Sequence, residues 1–185
     1  MNPIHLRNTP PPLETFDHAG LLAFIASWLR PERYLELGVR TGHSLAAVMG
    51  YCEEVYAVDI NPFELRGKEL SDNVVQFILS TDDFFDALPD GIMFDMVFID
   101  AAHESEQVKK DFINVLPLVI EDGLIFLHDT YPYSDEMTKP YLCNDCWKAA
   151  EWIKQNIDVE IITLPFNPGV SIIKNIKRNK QLIWY

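Results

Sequence analysis

The feature that most constrains this chain is a series of short apolar runs, each ending in or leading to a polar or acidic residue. They are Tyr34-Leu35-Glu36-Leu37, Val55-Tyr56-Ala57-Val58-Asp59, Val74-Val75-Gln76-Phe77-Ile78-Leu79, Met96-Val97-Phe98-Ile99-Asp100 and Leu124-Ile125-Phe126-Leu127-His128-Asp129. Apolar on both alternating faces, they suit strands buried on two sides better than surface strands. Helical patterns over 44–51, 82–88, 104–119 and 145–157 alternate with them, which implies βαβ units and a parallel sheet. An earlier amphipathic stretch, 13–29, predicts a helix that Pro31 closes. Near the end, 159–164 and 170–174 flank Pro165-Phe166-Asn167-Pro168-Gly169. Strands joined by so short a link are antiparallel, since a parallel return needs about a dozen residues or more. The expected fold is therefore α/β, with a mostly parallel seven-stranded sheet ending in an antiparallel hairpin.

A chain of 185 residues fits one domain, 1–185, with a helical segment over 1–30 and a tail over 175–185. Its 28 acidic and 15 basic residues leave a formal net charge of −13. That balance argues against nucleic-acid backbone or anionic membrane as the main partner, because both call for excess Lys and Arg. A small molecule is the expected partner. The odd count of three cysteines, Cys52, Cys143 and Cys146, favours a reducing compartment. With no apolar leader and no run near the roughly 20 residues that span a bilayer, the expectation is a soluble cytoplasmic chain.

In open α/β sheets ligands bind beyond the carboxyl ends of the strands, where strand order switches. The residues predicted there are Glu36, Asp59, Thr81 with Asp82, Asp100, and His128 with Asp129. Any one such Asp could simply cap a helix; five positions together point to a site. After the first run comes Gly38-Val39-Arg40-Thr41-Gly42-His43-Ser44, whose glycines permit a tight turn and close backbone approach. The spacing is not G-x-G-x-x-G, which argues against NAD. Asp59, ending the next run, is placed to accept hydrogen bonds from ribose hydroxyls, so a nucleoside-containing cofactor is expected.

On these segments the sequence resembles the class I S-adenosylmethionine-dependent methyltransferases. It looks most like a small O-methyltransferase-like group that includes relatives of catechol and macrocin O-methyltransferases and of cephalosporin hydroxylase. The resemblance is carried by Tyr34–Ser44, Val55–Asp59, Ser80–Phe85, Phe94–Asp111 and Gly123–Pro132, in order and spacing. It implies a Rossmann-like three-layer sandwich and S-adenosyl-L-methionine as cofactor. Glu36, Gly38, Thr41, Gly42 and Ser44 would surround its methionine part, Asp59 its ribose, and Thr81 and Asp82 its adenine. Asp100 would also contact the cofactor, and carboxylates there and at Glu36 would attract a sulfonium cation.

The resemblance further implies chemistry at Asp100, His103 and Asp129. Positions matching Asp100 and Asp129 help bind Mg2+ in metal-dependent relatives, and His103 stands where the catechol enzymes place a lysine base. An ordinary histidine pKa near 6.5 suits proton removal near neutrality. Thr130 follows Asp129 where catechol enzymes have Asn, and His128 precedes it where the hydroxylase relatives have Glu. A metal set of Asp100, His128 and Asp129 would favour an ion softer than Mg2+. The acceptor lid falls over 130–147, with Tyr131, Pro132, Tyr133, Tyr141 and Trp147 either lining the pocket or packing the loop. Cys143-Asn144-Asp145-Cys146 lacks the second pair of a zinc site and reads as a loop before a helix.

The tail holds basic residues between Lys174 and Lys180 and ends Leu182-Ile183-Trp184-Tyr185. The basic part reads as a solvated end and the aromatic part as a contact with a second copy, making a homodimer. The activity expected is O-methylation of a small hydroxylated acceptor, metal-assisted. The alternatives are a metal-dependent hydroxylase or hydrolase-like enzyme on the same fold, and a non-catalytic cofactor-binding protein.

Overall fold

The computed structural model describes residues 17–63, 65, 69–166 and 168–176. The triproline segment, the predicted helix start before Asp17 and the aromatic end at Leu182–Tyr185 lie outside these residues. Seven strands form one sheet: β1 (Arg33–Leu37), β2 (Glu54–Asp59), β3 (Val74–Ile78), β4 (Phe94–Ile99), β5 (Val119–His128), β6 (Glu160–Leu164) and β7 (Val170–Lys174). Their spatial order is β3-β2-β1-β4-β5-β7-β6. The first five run parallel, whereas β7 is antiparallel to both β5 and β6. The fold class and the closing hairpin are as the sequence implies.

Five helices cover the sheet: α1 (His18–Leu29), α2 (His43–Val48), α3 (Thr81–Ala87), α4 (Ser105–Val115) and α5 (Trp147–Asn156). Asp17 caps α1 by accepting from the Gly20 N–H at 3.0 Å, and Arg30 ends it in a left-handed conformation immediately before Pro31. The strand period of two splits each run between two cores. Leu35, Leu37, Val97, Ile99, Ile125 and Leu127 face α3, α4 and α5, where Phe84, Phe112 and Ile153 meet them. Tyr34, Met96, Phe98 and Phe126 face α1 and α2, meeting Leu22, Leu45 and Val48. Helix 104–119 is shorter than expected: α4 stops at Val115, a 3-10 turn carries Pro117, and β5 already begins at Val119. Pro117 lacks the N–H that a continuing α-helix would use.

Register fixes what sits at the open edge. Glu36 pairs with Phe98, and Phe98 with Phe126, in one row across β1, β4 and β5. Two residues on, at the heads of these strands, come Gly38, Asp100 and His128. The Asp100 N–H donates to the Leu37 carbonyl at 2.8 Å and the Gly38 N–H to the Val58 carbonyl at 2.8 Å, so the ladders run to the edge. Strand order reverses between β1 and β4, and there Gly38 packs on its neighbour. A Cβ on Gly38 would lie 2.3 Å from the Asp100 carbonyl oxygen and 2.5 Å from the Ala101 Cα, at φ +89°.

A Gly38→Ala variant should therefore lose more stability than Gly91→Ala, whose φ is +84° with nothing within 4 Å of the added carbon. The conformational cost alone is roughly 1–2 kcal/mol, and urea midpoints of the two variants at unchanged m value measure the excess due to crowding. Equal midpoints would show that the β1–β4 edge yields freely.

Candidate functional site

The turn after β1 is held by the carboxylate that ends β2. Asp59 Oδ2 accepts from the N–H groups of Val39 at 3.0 Å and Arg40 at 2.8 Å, and Oδ1 from that of Asn61 at 2.8 Å. The loop closes on itself through the Gly42 N–H and the Val39 carbonyl, 2.8 Å apart, and Gly42 precedes the first residue of α2. Thr41 and Arg40 are exposed at the rim, while Gly42 and Ser44 are buried. Asp59, sought as a ribose ligand, is also the residue that shapes the loop.

Glu36 lies beneath this loop and is fully buried. It accepts from the Tyr34 hydroxyl at 2.7 Å and from the Ser44 hydroxyl at 2.6 Å. Burial pushes its pKa up to about 7, against the lowering effect of the Ser44 and Tyr34 hydrogen bonds. Glu36 thus joins β1 to α2 and touches no open surface; its influence on a ligand runs through Ser44 and the loop.

Thr81 and Asp82 open α3, which Ser80 caps by accepting from the Asp83 N–H at 3.1 Å. Both face α4: Gln107 donates to Thr81 Oγ1 at 3.2 Å and to Asp82 Oδ1 at 3.3 Å, and Lys110 pairs with Asp82 at 2.6 Å. The Lys110 ammonium holds the Asp82 carboxyl below its ordinary pKa. Asp82 is therefore engaged by α4, and what it would offer a ring is its exposed edge.

The second constellation gathers at the heads of β4 and β5. His128 Nδ1 lies 3.1 Å from Asp100 Oδ1 and 3.5 Å from Asp129 Oδ1. His103 Nε2 lies 3.3 Å from Asp129 Oδ2 and 3.7 Å from Asp100 Oδ1, and its Nδ1 is bonded to the Leu142 carbonyl. Asp129 has φ +58°, a left-handed value that a non-glycine residue holds only when its surroundings fix it. Asp100, His103 and Asp129 each bring a donor atom within 4.8 Å of the others'. His128, which the sequence reading placed among the metal ligands, stands outside that trio as a partner of both carboxylates.

Protonation differs from the sequence expectation. The Asp100 hydrogen bond, opposed by burial and reinforced by the Asp129 charge, raises the His103 pKa to about 9. For His128 burial works downward, but Asp100 and Asp129 outweigh it and raise the value to about 10. Burial would raise Asp100, yet the facing imidazoliums hold it well below the usual carboxylate range. Near neutral pH both rings are cations, so His103 already carries the proton that a general base would have to accept.

Two sets of contacts with no signal in the sequence complete the site, one from His18 and one from the cysteines of the predicted lid. His18, the first residue of α1, sets its ring 4.2 Å from that of His128 and 5.8 Å from that of Phe98. Burial and then the neighbouring His128 charge lower its pKa to about 4, so it is neutral. A histidine opening a helix carries no signal of such a contact. The lid supplies the other. Cys143 donates to Asp129 Oδ1 at 3.5 Å, and Cys146 to the His128 carbonyl at 3.1 Å. Both thiols are free and buried, and burial raises their pKa values, as befits packed thiols rather than reactive ones. Asp145 caps α4 from the lid, accepting from the Ser105 N–H at 2.7 Å. Of the residues predicted to line the lid, Pro132 is buried and Tyr131 packs on Gly169, whereas Tyr141 is 72% exposed.

Among the described residues no helix is long and apolar enough to cross a membrane. A family model described as "Methyltransferase domain" matches residues 35–130, from β1 to just past β5. Similar solved structures include a candidate caffeoyl-CoA O-methyltransferase from Staphylococcus aureus, with TM-score 0.70 and 18% identity over 89% of this chain and 86% of that one. The Podospora anserina methyltransferase PaMTH1, solved with SAH, matches at TM-score 0.67 and 18% identity, covering 86% of this chain and 78% of its own. The O-methyltransferase TomG of Streptomyces achromogenes, involved in tomaymycin synthesis and solved with SAM, gives 0.66 and 17% over 86% and 80%. No curated protein sequence matches significantly.

Glu36 offers a check on the electrostatics of the site. Its native pKa of about 7 lies above the ordinary 4.5, so the folded chain binds this proton more tightly than the unfolded one. Stability from this group is complete below the unfolded value and falls as pH rises through 4.5 to 7, by on the order of 3 kcal/mol. Glu36→Gln should accordingly gain on the wild type across that window and hold a constant difference above it, measured by denaturant unfolding at each pH. A pH-independent difference would mean that folding leaves the Glu36 pKa unshifted.

Proposed function

We propose that this chain, which belongs to the methyltransferase domain family, transfers the methyl group of S-adenosyl-L-methionine to an oxygen of a small hydroxylated acceptor. The observation that carries the cofactor assignment is the loop from Gly38 to Gly42. It lies at the switch between β1 and β4, lined with backbone and fixed by Asp59. That is where an open α/β sheet binds its ligand. The methionine part would lie along this turn with Thr41 at its rim; Gly38 lets the turn pack on the Asp100 backbone and Gly42 on Leu65, and Ser44 and Glu36 hold the start of α2 beneath it. Asp59 Oδ2 already accepts two N–H groups, but Oδ1 accepts one and keeps a site for a ribose hydroxyl. Thr81 and Asp82 stand at the head of β3, where the adenine would lie.

The reaction exchanges one bond for another: the C–O bond forms on the line along which the C–S bond breaks, and S-adenosylhomocysteine leaves as a neutral thioether. Its main demand on the protein is positioning. The acceptor would enter between the lid, 130–147, and the Asp100 cluster, with exposed Tyr141 within the lid. The Asp100 and Asp129 carboxylates accept the acceptor's hydroxyl hydrogen bond, and the proton leaves to water along that partly open edge. The donor set of two carboxylates and an imidazole suits a divalent ion. When bound, such an ion supplies a Lewis acid that lowers the acceptor's pKa. We read 1–185 as one catalytic domain acting on small molecules in the cytoplasm. A hydroxylase or hydrolase-like enzyme would use the same cluster but yield no methylated product.

Calorimetry with S-adenosyl-L-methionine tests the reading. Micromolar binding is expected, with none for NAD, and Asp59→Ala should weaken it at least tenfold. Absence of binding to the wild-type chain would sink the assignment.

A further inference from the structure

Resting on the reading of the Asp100 cluster as an ion site, we infer that it selects a borderline first-row transition ion over Mg2+, with His103 Nε2 as its nitrogen ligand. Three features of the site support this. The donor atoms that converge are two carboxylate oxygens and one ring nitrogen, mutually within 4.8 Å. Mg2+ prefers an all-oxygen octahedron and keeps its waters, whereas imidazole with carboxylate suits Mn2+, Fe2+, Co2+ and Zn2+ with rising affinity toward the later ions.

The second feature is the state of the His103 ring. Its Nδ1 is bonded to the Leu142 carbonyl, while Nε2 points between Asp100 and Asp129 at 3.7 and 3.3 Å. A ligating histidine characteristically gives its other ring N–H to a carbonyl or carboxylate, which fixes the ring and aims the ligating nitrogen. His103 has that partner in place. His128 does not: its Nδ1 is directed at Asp100 and Asp129, and its Nε2 is buried without a hydrogen-bond partner.

The third is that the carboxylates are held from outside the trio. His128 Nδ1 lies 3.1 Å from Asp100 Oδ1, and the Cys143 thiol donates to Asp129 Oδ1 at 3.5 Å. Such outer contacts orient ligands and sharpen selectivity. Cys143 lies outside the converging donors, so the site is O,O,N and not thiolate.

The test uses the full chain, stripped of metal, titrated with Co2+ and with Mg2+ by calorimetry and visible absorption. One Co2+ per chain is expected, with d–d bands, no thiolate charge-transfer band, and no displacement by a thousandfold excess of Mg2+. His103→Ala should weaken Co2+ at least tenfold while its circular dichroism and S-adenosyl-L-methionine binding persist, and Cys143→Ser should leave Co2+ affinity within a few-fold. Three results would overturn the inference: Mg2+ binding as tightly as Co2+, a thiolate band, or Co2+ affinity lost in His128→Ala but kept in His103→Ala. S-adenosyl-L-methionine titration of the same sample separates the outcomes. Cofactor binding without Co2+ selectivity removes this inference alone, and Co2+ binding without cofactor removes the methyltransferase reading alone.

Discussion

The close approach of β1 to β4 at their carboxyl ends is the constraint on which the rest of the molecule depends. Where strand order reverses, the chain must leave the sheet in opposite directions, and Gly38 lies against the Asp100 backbone with no room for a Cβ. That contact lets the ladders run to the edge, so the register that pairs Glu36 with Phe98 and Phe98 with Phe126 also sets Asp100 beside His128. The loop on one side of the contact and the ionisable cluster on the other are then neighbours by construction. A ligand held by the first would present itself to the second.

The cluster is stable because its charges balance. Two buried or half-buried carboxylates would repel, but His103 and His128 each face both of them and are held protonated. His18 stays neutral beside His128, so a third charge is not added. An ion entering between Asp100, His103 and Asp129 would have to displace the proton of a ring that holds it to about pH 9. The lid supplies a further restraint: the Leu142 carbonyl and the Cys143 thiol reach the same groups that a metal would. The 130–147 segment and the Asp100 cluster are thus one structural unit.

Much of this was legible in the residues themselves. Five apolar runs with polar ends and a Pro-Gly link near the end are local signals, and the sheet, its hairpin and the edge residues follow from them. Roles at the edge were less legible because they depend on distances across the sheet. Nothing local distinguishes Glu36, which lies in a fully buried row, from Asp59, which faces a loop. Which histidine turns toward the carboxylates depends on the Leu142 carbonyl, 39 residues from His103 in the chain. The pKa of His103 near 9 rather than near 6.5 is set by two carboxylates that only the fold brings together. Asp145 looked like part of a C-x-x-C loop, yet it caps a helix that begins 40 residues earlier.

These partners also revise where the acidity of the chain acts. Of the carboxylates at the open edge, Glu36 is buried between two hydroxyls, and its pKa of about 7 leaves it only partly ionised near neutral pH. Asp82 is matched by Lys110, and Asp100 and Asp129 by two imidazoliums. Asp59 differs: its hydrogen-bond partners among the described residues are neutral backbone N–H groups, and no cation among those residues forms an ion pair with it. A sulfonium cofactor would therefore not meet a general pool of negative charge at this edge. The attraction concentrates at Asp59, beside the loop it holds, while the Asp100 cluster turns attractive to a cation only as its imidazoles release their protons. A sulfonium cofactor and a metal ion would thus be drawn by different groups, on opposite sides of the Gly38 contact.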